Sequence, residues 1–265
     1  MKHCHISIMC NEICFLKQKL NFLYNNFDQL IFVDYNLVKK CNSTDGSIEF
    51  IENFNDINDK IKLIKNFDPS KIKFFHGESF IDKQKMFAEA SKYVNDDIDI
   101  VWATDLDEFF HKELIKKVED IYINDDTIIS IDIPHRIFAY NQYNVFDKNN
   151  FYICPRITRH KKKFIYGHCD FQKYGKTIKL PNECYYHFAF VGYNRCKMKY
   201  NLYTNRLFNH NKWLEIYLDN LKNNKKYVSL PHSNLQLKLF TSKYEGEYPD
   251  YMNVDNMVKE LNFIS

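Results

Sequence analysis

Apolar and polar residues alternate along the first 110 positions in blocks that change period. HCHISIMC (His3 to Cys10) is a short apolar run with β-forming residues, ending at Asn11-Glu12. ICFLKQKLNFLYNNF follows, with Phe15, Leu16, Leu20, Leu23 and Phe27 at helical spacing. QLIFVDY (Gln29 to Tyr35) is a second buried-strand pattern and carries Asp34 near its end. NSTDGSIEFIENF supplies a turn, a cap at Ser43, Thr44 or Asp45, and a short helix. KIKFFHG predicts a third strand. DKQKMFAEASKYV predicts a helix with Met86, Phe87, Ala90 and Val94 on one side. DIDIVWATDLDEFF predicts a fourth strand that runs into Asp105, Asp107 and Glu108.

Strands alternating with helices build βαβ units and a largely parallel sheet. Ligands of such sheets bind beyond the carboxyl ends of the strands. Asn11-Glu12, Asp34, Asp45 and the Asp105/Asp107 pair all fall at or just past those ends, so the fold would gather them on one rim. Past residue 120 the pattern changes. TIISIDIPHRIFAY reads as one long strand, ECYYHFAFVGYNRCKMKYNLY is rich in aromatic and basic residues, and WLEIYLDNLKN from Trp213 reads as an amphipathic helix. The simplest division is a catalytic domain over 1–200, with a nucleotide-binding half (1–120) and an acceptor half (121–200). A helical extension over 201–265 would pack on it.

Composition narrows the function classes. At 265 residues, 45% hydrophobic and 17% aromatic, the chain can bury a sizeable core. Its net charge of +3 does not suit a dedicated nucleic-acid binder. The eight Cys form no CxxC pair, which leaves little support for a zinc knuckle and suits reduced thiols in the cytoplasm. The N-terminus lacks a signal-peptide core, and no stretch approaches the ~18 apolar residues of a membrane helix.

Alternation along the strand end puts Asp105 and Asp107 on one side, because strand side chains repeat every second residue. Two like charges there need a positive partner. A hard divalent cation, Mn²⁺ or Mg²⁺, supplies one and commonly completes its shell with diphosphate oxygens. The plain alternative is an acidic, solvated turn; the apolar brackets VWA and FF favour a built site.

VWATDLDEFF resembles the D-x-D-E-F segment of glycosyltransferases with the GT-A fold, family-2-like enzymes in particular. Asn11-Glu12 matches the Asn-Glu after their first strand. Val33-Asp34 and Ser43-Thr44-Asp45-Gly46-Ser47 resemble their V-D and S-T-D-G-S elements, with a longer intervening segment. Tyr185-Tyr186-His187-Phe188 resembles a late His-aromatic element that returns to the metal, and Tyr244 to Pro249 a tail of some relatives. The likeness covers about the first 120 residues, then scattered points.

The resemblance implies a GT-A (Rossmann-like) fold and transfer of a sugar from a nucleotide-diphosphate donor to a glycan or other hydroxyl acceptor. Asp105, Asp107 and His187 would hold the metal, with Asp105 also facing the donor. Asn11, Glu12, Asp34, Asp45, Lys83 and Lys199 would contact the donor, and Lys197 lies near Lys199. For Glu12 and Asp34 a strand-end cap is the competing role, for Asp45 a helix cap, and for the lysines plain solvation. An inverting reaction needs a base for the acceptor hydroxyl. Of Asp132, His135, Asp170 and Glu183, Asp170 in GHCDF is the choice. A nucleotidyltransferase or a non-catalytic carbohydrate-binding protein on this fold are the alternatives; the first would want a Gly-rich phosphate loop, and the chain has only six Gly.

Overall fold

Two sheets organise the chain in a computed structural model that describes residues 1–35, 41–68, 81–146, 156–161, 174–192, 195–196, 219, 223, 227–229 and 238–263. The larger sheet has seven strands: β1 (His3–Met9), β2 (Gln29–Asp34), β3 (Ile61–Ile64), β4 (Ile100–Ala103), β6 (Ile128–Asp132), β9 (Ile157–Arg159) and β10 (Lys176–Lys179). They lie in the order β10-β6-β9-β4-β1-β2-β3. All neighbours are parallel except β9, which runs antiparallel to both β4 and β6. This is the mixed, mainly parallel α/β sheet flanked by helices that the sequence pattern predicts.

Both faces of this sheet are covered, which explains the near-continuous apolar runs. Leu30 and Phe32 of β2 and Ile100 and Trp102 of β4 join the core packed by helix α1 (Ile13–Asn26). Ile31, Val33 and Val101 face the other way, against Met86, Phe87 and Ala90 of α3 (Ile81–Ser91). The predicted helical faces therefore hold: Phe15, Leu16, Leu20, Leu23 and Phe27 are buried on one side, and Met86, Phe87, Ala90 and Val94 on the other. A short helix, α2 (Ser47–Glu52), follows the S-T-D-G-S element, and α4 (Glu113–Asn124) follows the acidic segment.

The second sheet is built from β5 (Glu108–Phe109), β7 (His135–Tyr140), β8 (Asn144–Phe146), β11 (Tyr185–Val191), β12 (Tyr227–Ser229) and β13 (Lys238–Lys243). Its order is β12-β13-β8-β7-β11-β5. Segment 201–265, expected to be a helical extension, thus also contributes two strands before α5 (Val254–Phe263).

Two sequence expectations change here. TIISIDIPHRIFAY is two strands in different sheets, split at Ile133-Pro134. Proline has no N–H to continue a ladder, and the chain crosses there from β6 to β7. The edge of the large sheet beside β2 is β3, IKLI, which the sequence reading did not mark. The strand expected at KIKFFHG and the helix expected from Trp213 lie largely outside the described residues.

Candidate active site

The carboxyl ends of the parallel strands meet along one rim. At β1 and β2 it is closed by a hydrogen-bonded knot. Asp34, fully buried, accepts from the backbone N–H of Ser43 (2.8 Å) and from its hydroxyl. Ser43 Oγ also accepts from the N–H of Asn11 (2.7 Å), and Asn11 Oδ1 accepts from Thr44 N (2.8 Å). Asn11 sits at φ 55°, a left-handed conformation that asparagine tolerates better than most residues. Asp45 Oδ2 accepts from Ile13 N (2.9 Å), the first residue of α1, and Oδ1 from Ser47 N (3.1 Å) at the start of α2. One carboxylate therefore caps two helices. Burial raises the pKa of Asp34, while the two Ser43 bonds oppose that rise.

The acidic segment is a turn, not a continued strand. β4 stops at Ala103, and β5 begins at Glu108. Glu108 N donates to Asp105 O (3.2 Å), and Asp105 N donates back to Glu108 Oε2 (3.0 Å). The strand alternation expected to place Asp105 and Asp107 on one side is therefore broken within the DLDE turn. Aromatic burial fastens both ends: Trp102, Phe109 and Phe110 are fully buried, with Trp102 stacked on Phe110 at 5.0 Å. Each such ring contributes roughly 1.5–3 kcal/mol by leaving water.

Three cations compensate the carboxylates. Lys19, buried on α1, donates to Asp105 O (3.0 Å), Glu108 O (2.6 Å) and Thr104 Oγ1 (3.4 Å). Burial lowers its pKa to about 8, against the pull of Glu108, Asp107 and Asp105. Arg156 immediately precedes antiparallel β9 and so reaches the same rim. Its Nη2 lies 2.7 Å from Glu108 Oε1 and 3.4 Å from Asp105 Oδ2. Arg195, just past β11, joins Glu12 Oε2 (2.8 Å) to Asp107 Oδ2 and lies over the Phe15 ring. Burial works against its charge, but Glu12 and Asp107 hold the guanidinium more firmly protonated than usual.

Two histidines complete the group. His187 Nε2 is 3.4 Å from Asp107 Oδ2. His135 Nδ1 is 3.6 Å from Glu108 Oε1, and the two imidazole rings are 5.5 Å apart. Burial, then His187 and Arg156, push the His135 pKa well below its usual value, so it is neutral. Glu108, His135 and His187 each offer one ligand atom within 4.8 Å of the others. Neutral imidazoles and carboxylates are metal donors, so the residues present fit a divalent cation.

The structure thus brings together Asp105, Asp107 and His187, and joins Glu12 to them through Arg195. Asn11, Asp34 and Asp45 form the adjoining knot. Asp170, Lys197 and Lys199, and the side chain of Lys83, lie outside the described residues. Glu183 instead makes a surface bridge to Lys117 (2.6 Å). Asp132 ends β6 on the rim; its Oδ1 is buried with no hydrogen-bond partner among the described residues. Burial raises its pKa to about 6, with Lys179 and Arg156 opposing. Lys19, Arg156 and Arg195 escaped the sequence reading. Lys19 did leave a signal, since it occupies the apolar side of its helix between Leu16 and Leu20.

No family model and no curated protein matches the chain. Among solved structures, it is similar to S. aureus TarS 1-349, with 14% identity, a TM-score of 0.45, and coverage of 85% of this chain and 72% of that one. It is also similar to a 4-diphosphocytidyl-2C-methyl-D-erythritol synthase from Anaerococcus prevotii, with 11% identity, a TM-score of 0.40, and coverage of 68% and 88%.

Proposed function

We propose that the chain is a divalent-cation-dependent glycosyltransferase that moves a sugar from a nucleoside-diphosphate donor to a hydroxyl acceptor. The observation that carries this reading is the shared rim. The D-x-D-E turn at the end of β4 stands beside the Asn11–Asp34–Asp45 knot, and β11 brings His187 back to Asp107. That set reproduces in space the ordered motifs of the D-x-D-E-F family resemblance.

In this reading Asn11, Asp34 and Asp45 shape the nucleoside end of the cleft, with Glu12 beside them. Asp105, Asp107 and His187 face the diphosphate end, and Lys83 and Lys199 are assigned to the donor phosphates. A bound cation supplies charge neutralisation to the leaving diphosphate. Arg156 and Arg195 hold the carboxylates in place through direct ion pairs. The acceptor lies towards β6 and β7. Asp170 remains assigned as the base for an inverting transfer. Among the described carboxylates Asp132 has the matching properties: a rim position, burial and a pKa raised to about 6.

Phosphorus NMR of the full chain with UDP-, GDP- and dTDP-sugars and Mn²⁺ tests the reaction class. Glycosyl transfer or donor hydrolysis releases a nucleoside diphosphate. Release of pyrophosphate from a nucleoside triphosphate plus sugar phosphate would instead assign nucleotidyl transfer, and no turnover of any donor would favour a binding protein.

A further inference from the structure

We propose that Glu108, His135 and His187 form a seat for a first-row transition-metal ion, with two nitrogen ligands and one carboxylate. The inference deepens the transferase reading by naming the cation's inner ligands and its chemical class. It differs from the Asp105–Asp107–His187 set that the resemblance implies.

The sheet itself builds the seat. β11 lies between β7 and β5, and His187 is the register partner of Glu108 across the antiparallel pair. On the other side Tyr185 pairs with His135 and His187 with Ile137. Residues two apart on a strand share a face, so Glu108, His135 and His187 project to the same side. All three side chains therefore come from paired strands of one sheet.

The second observation is an unsatisfied histidine. His135 is 0% exposed, and neither ring nitrogen has a hydrogen-bond partner among the described residues. His187 Nδ1 is in the same condition. Burying polar nitrogens without partners costs free energy, and a metal ion would relieve it. Glu108 Oε1 receives Arg156, but a carboxylate oxygen keeps a second lone pair for an ion. Ligand atoms about 2.0–2.2 Å from one ion in a four-coordinate site lie about 3.3–3.6 Å apart, so a group within 4.8 Å closes with side-chain movements of up to about an ångström.

Asp107, by contrast, is engaged by Arg195, and Asp105 leans towards Arg156. Asp107 also lies 3.4 Å from His187, placed as carboxylates that orient ligating imidazoles are. Two imidazoles favour Co²⁺ or Zn²⁺ over Mg²⁺ or Ca²⁺, with Mn²⁺ the weakest binder of the first-row series. Three protein ligands leave coordination positions open for diphosphate oxygens.

The test uses metal alone with the full metal-free chain and no nucleotide, so its outcome is independent of sugar transfer. Calorimetric titration should show one Mn²⁺ or Zn²⁺ bound per chain, at least ~10-fold tighter than Mg²⁺. His135→Asn removes a ligand and should weaken this by at least the ~10-fold that loss of an outer partner costs, while Glu183→Gln, in the surface bridge to Lys117, leaves it unchanged. If His135→Asn does not fold, the visible spectrum of the Co²⁺-loaded wild-type chain still reads imidazole ligation. No ion binding at all, equal affinity for Mg²⁺ and Mn²⁺, a Co²⁺ spectrum of all-oxygen ligation, or loss on Asp105→Asn with none on His135→Asn would each overturn the proposal.

Discussion

Lys19 Nζ, from the middle of α1, donates to the carbonyl oxygen of Glu108 at 2.6 Å from beneath the acidic turn. It also serves Asp105 O, so one ammonium ties two backbone carbonyls of that turn to the helix. The same turn presents Asp105 and Glu108 to Arg156. Lys19 is a positioning residue: it shapes the turn through its backbone.

Lys19→Met keeps the apolar stem and removes the three donors. The carbonyls of Asp105 and Glu108 then lose a buried partner, which should lower stability by on the order of 1–3 kcal/mol. Chemical denaturation measures the loss. Cation-dependent nucleotide affinity should also fall in the folded variant, because the turn relaxes. A variant with unchanged denaturation midpoint would show that water replaces the ammonium without effect.

Arg195 bridges two carboxylates from opposite sides of the rim, Glu12 and Asp107. Arg195→Gln leaves both acids without their guanidinium partner, and removing one partner of a buried pair costs roughly 3–5 kcal/mol. Adding Glu12→Gln should recover part of that loss. Thermal denaturation of the single and double variants checks the coupling; simple additivity of the two changes would contradict it.

Asp132 has a pKa raised to about 6 by burial, above the ordinary carboxylate value of about 3.9. The folded protein therefore binds this proton more tightly than the unfolded chain does. The favourable contribution is complete below about pH 4 and is lost as pH rises through about 6. Above that, the carboxylate is charged in a buried place, and Lys179 and Arg156 offset only part of that cost. Asp132→Asn should accordingly raise Tm relative to wild type above pH 6, with the gain vanishing towards pH 4. A constant Tm difference across that range would mean Asp132 titrates normally.

Much of the first half was legible because its signals are local. The runs at His3, Gln29 and Ile100 became buried parallel strands, and the spacing of Phe15, Leu16, Leu20 and Leu23 became one helix face. Topology then brought Asn11, Asp34, Asp45 and Asp105 to one rim, as the βαβ reading required. What the pattern hid was non-local or context-bound. TIISIDIPHRIFAY is apolar on both sides of Pro134, so nothing in its periodicity reveals two sheets. The DLDE turn looks like a strand until Glu108 is seen to accept from Asp105 N. Arg156 and Arg195 reach the acids from 48 and 88 residues away in sequence. His135 joins His187 only because β7 and β11 pair, and that pairing spans the two halves of the acceptor region.

In the proposed function this rim binds a nucleoside diphosphate through a divalent cation. Calorimetric titration of UDP, GDP, CDP and dTDP into the full chain, with Mn²⁺ and again with EDTA, tests it most directly. At least one nucleotide should bind with Mn²⁺, EDTA should weaken this at least ~10-fold, roughly 1.4 kcal/mol or more, and His187→Ala should abolish the Mn²⁺-dependent part. Binding of none of the four, or equal affinity in Mn²⁺ and EDTA, would contradict it.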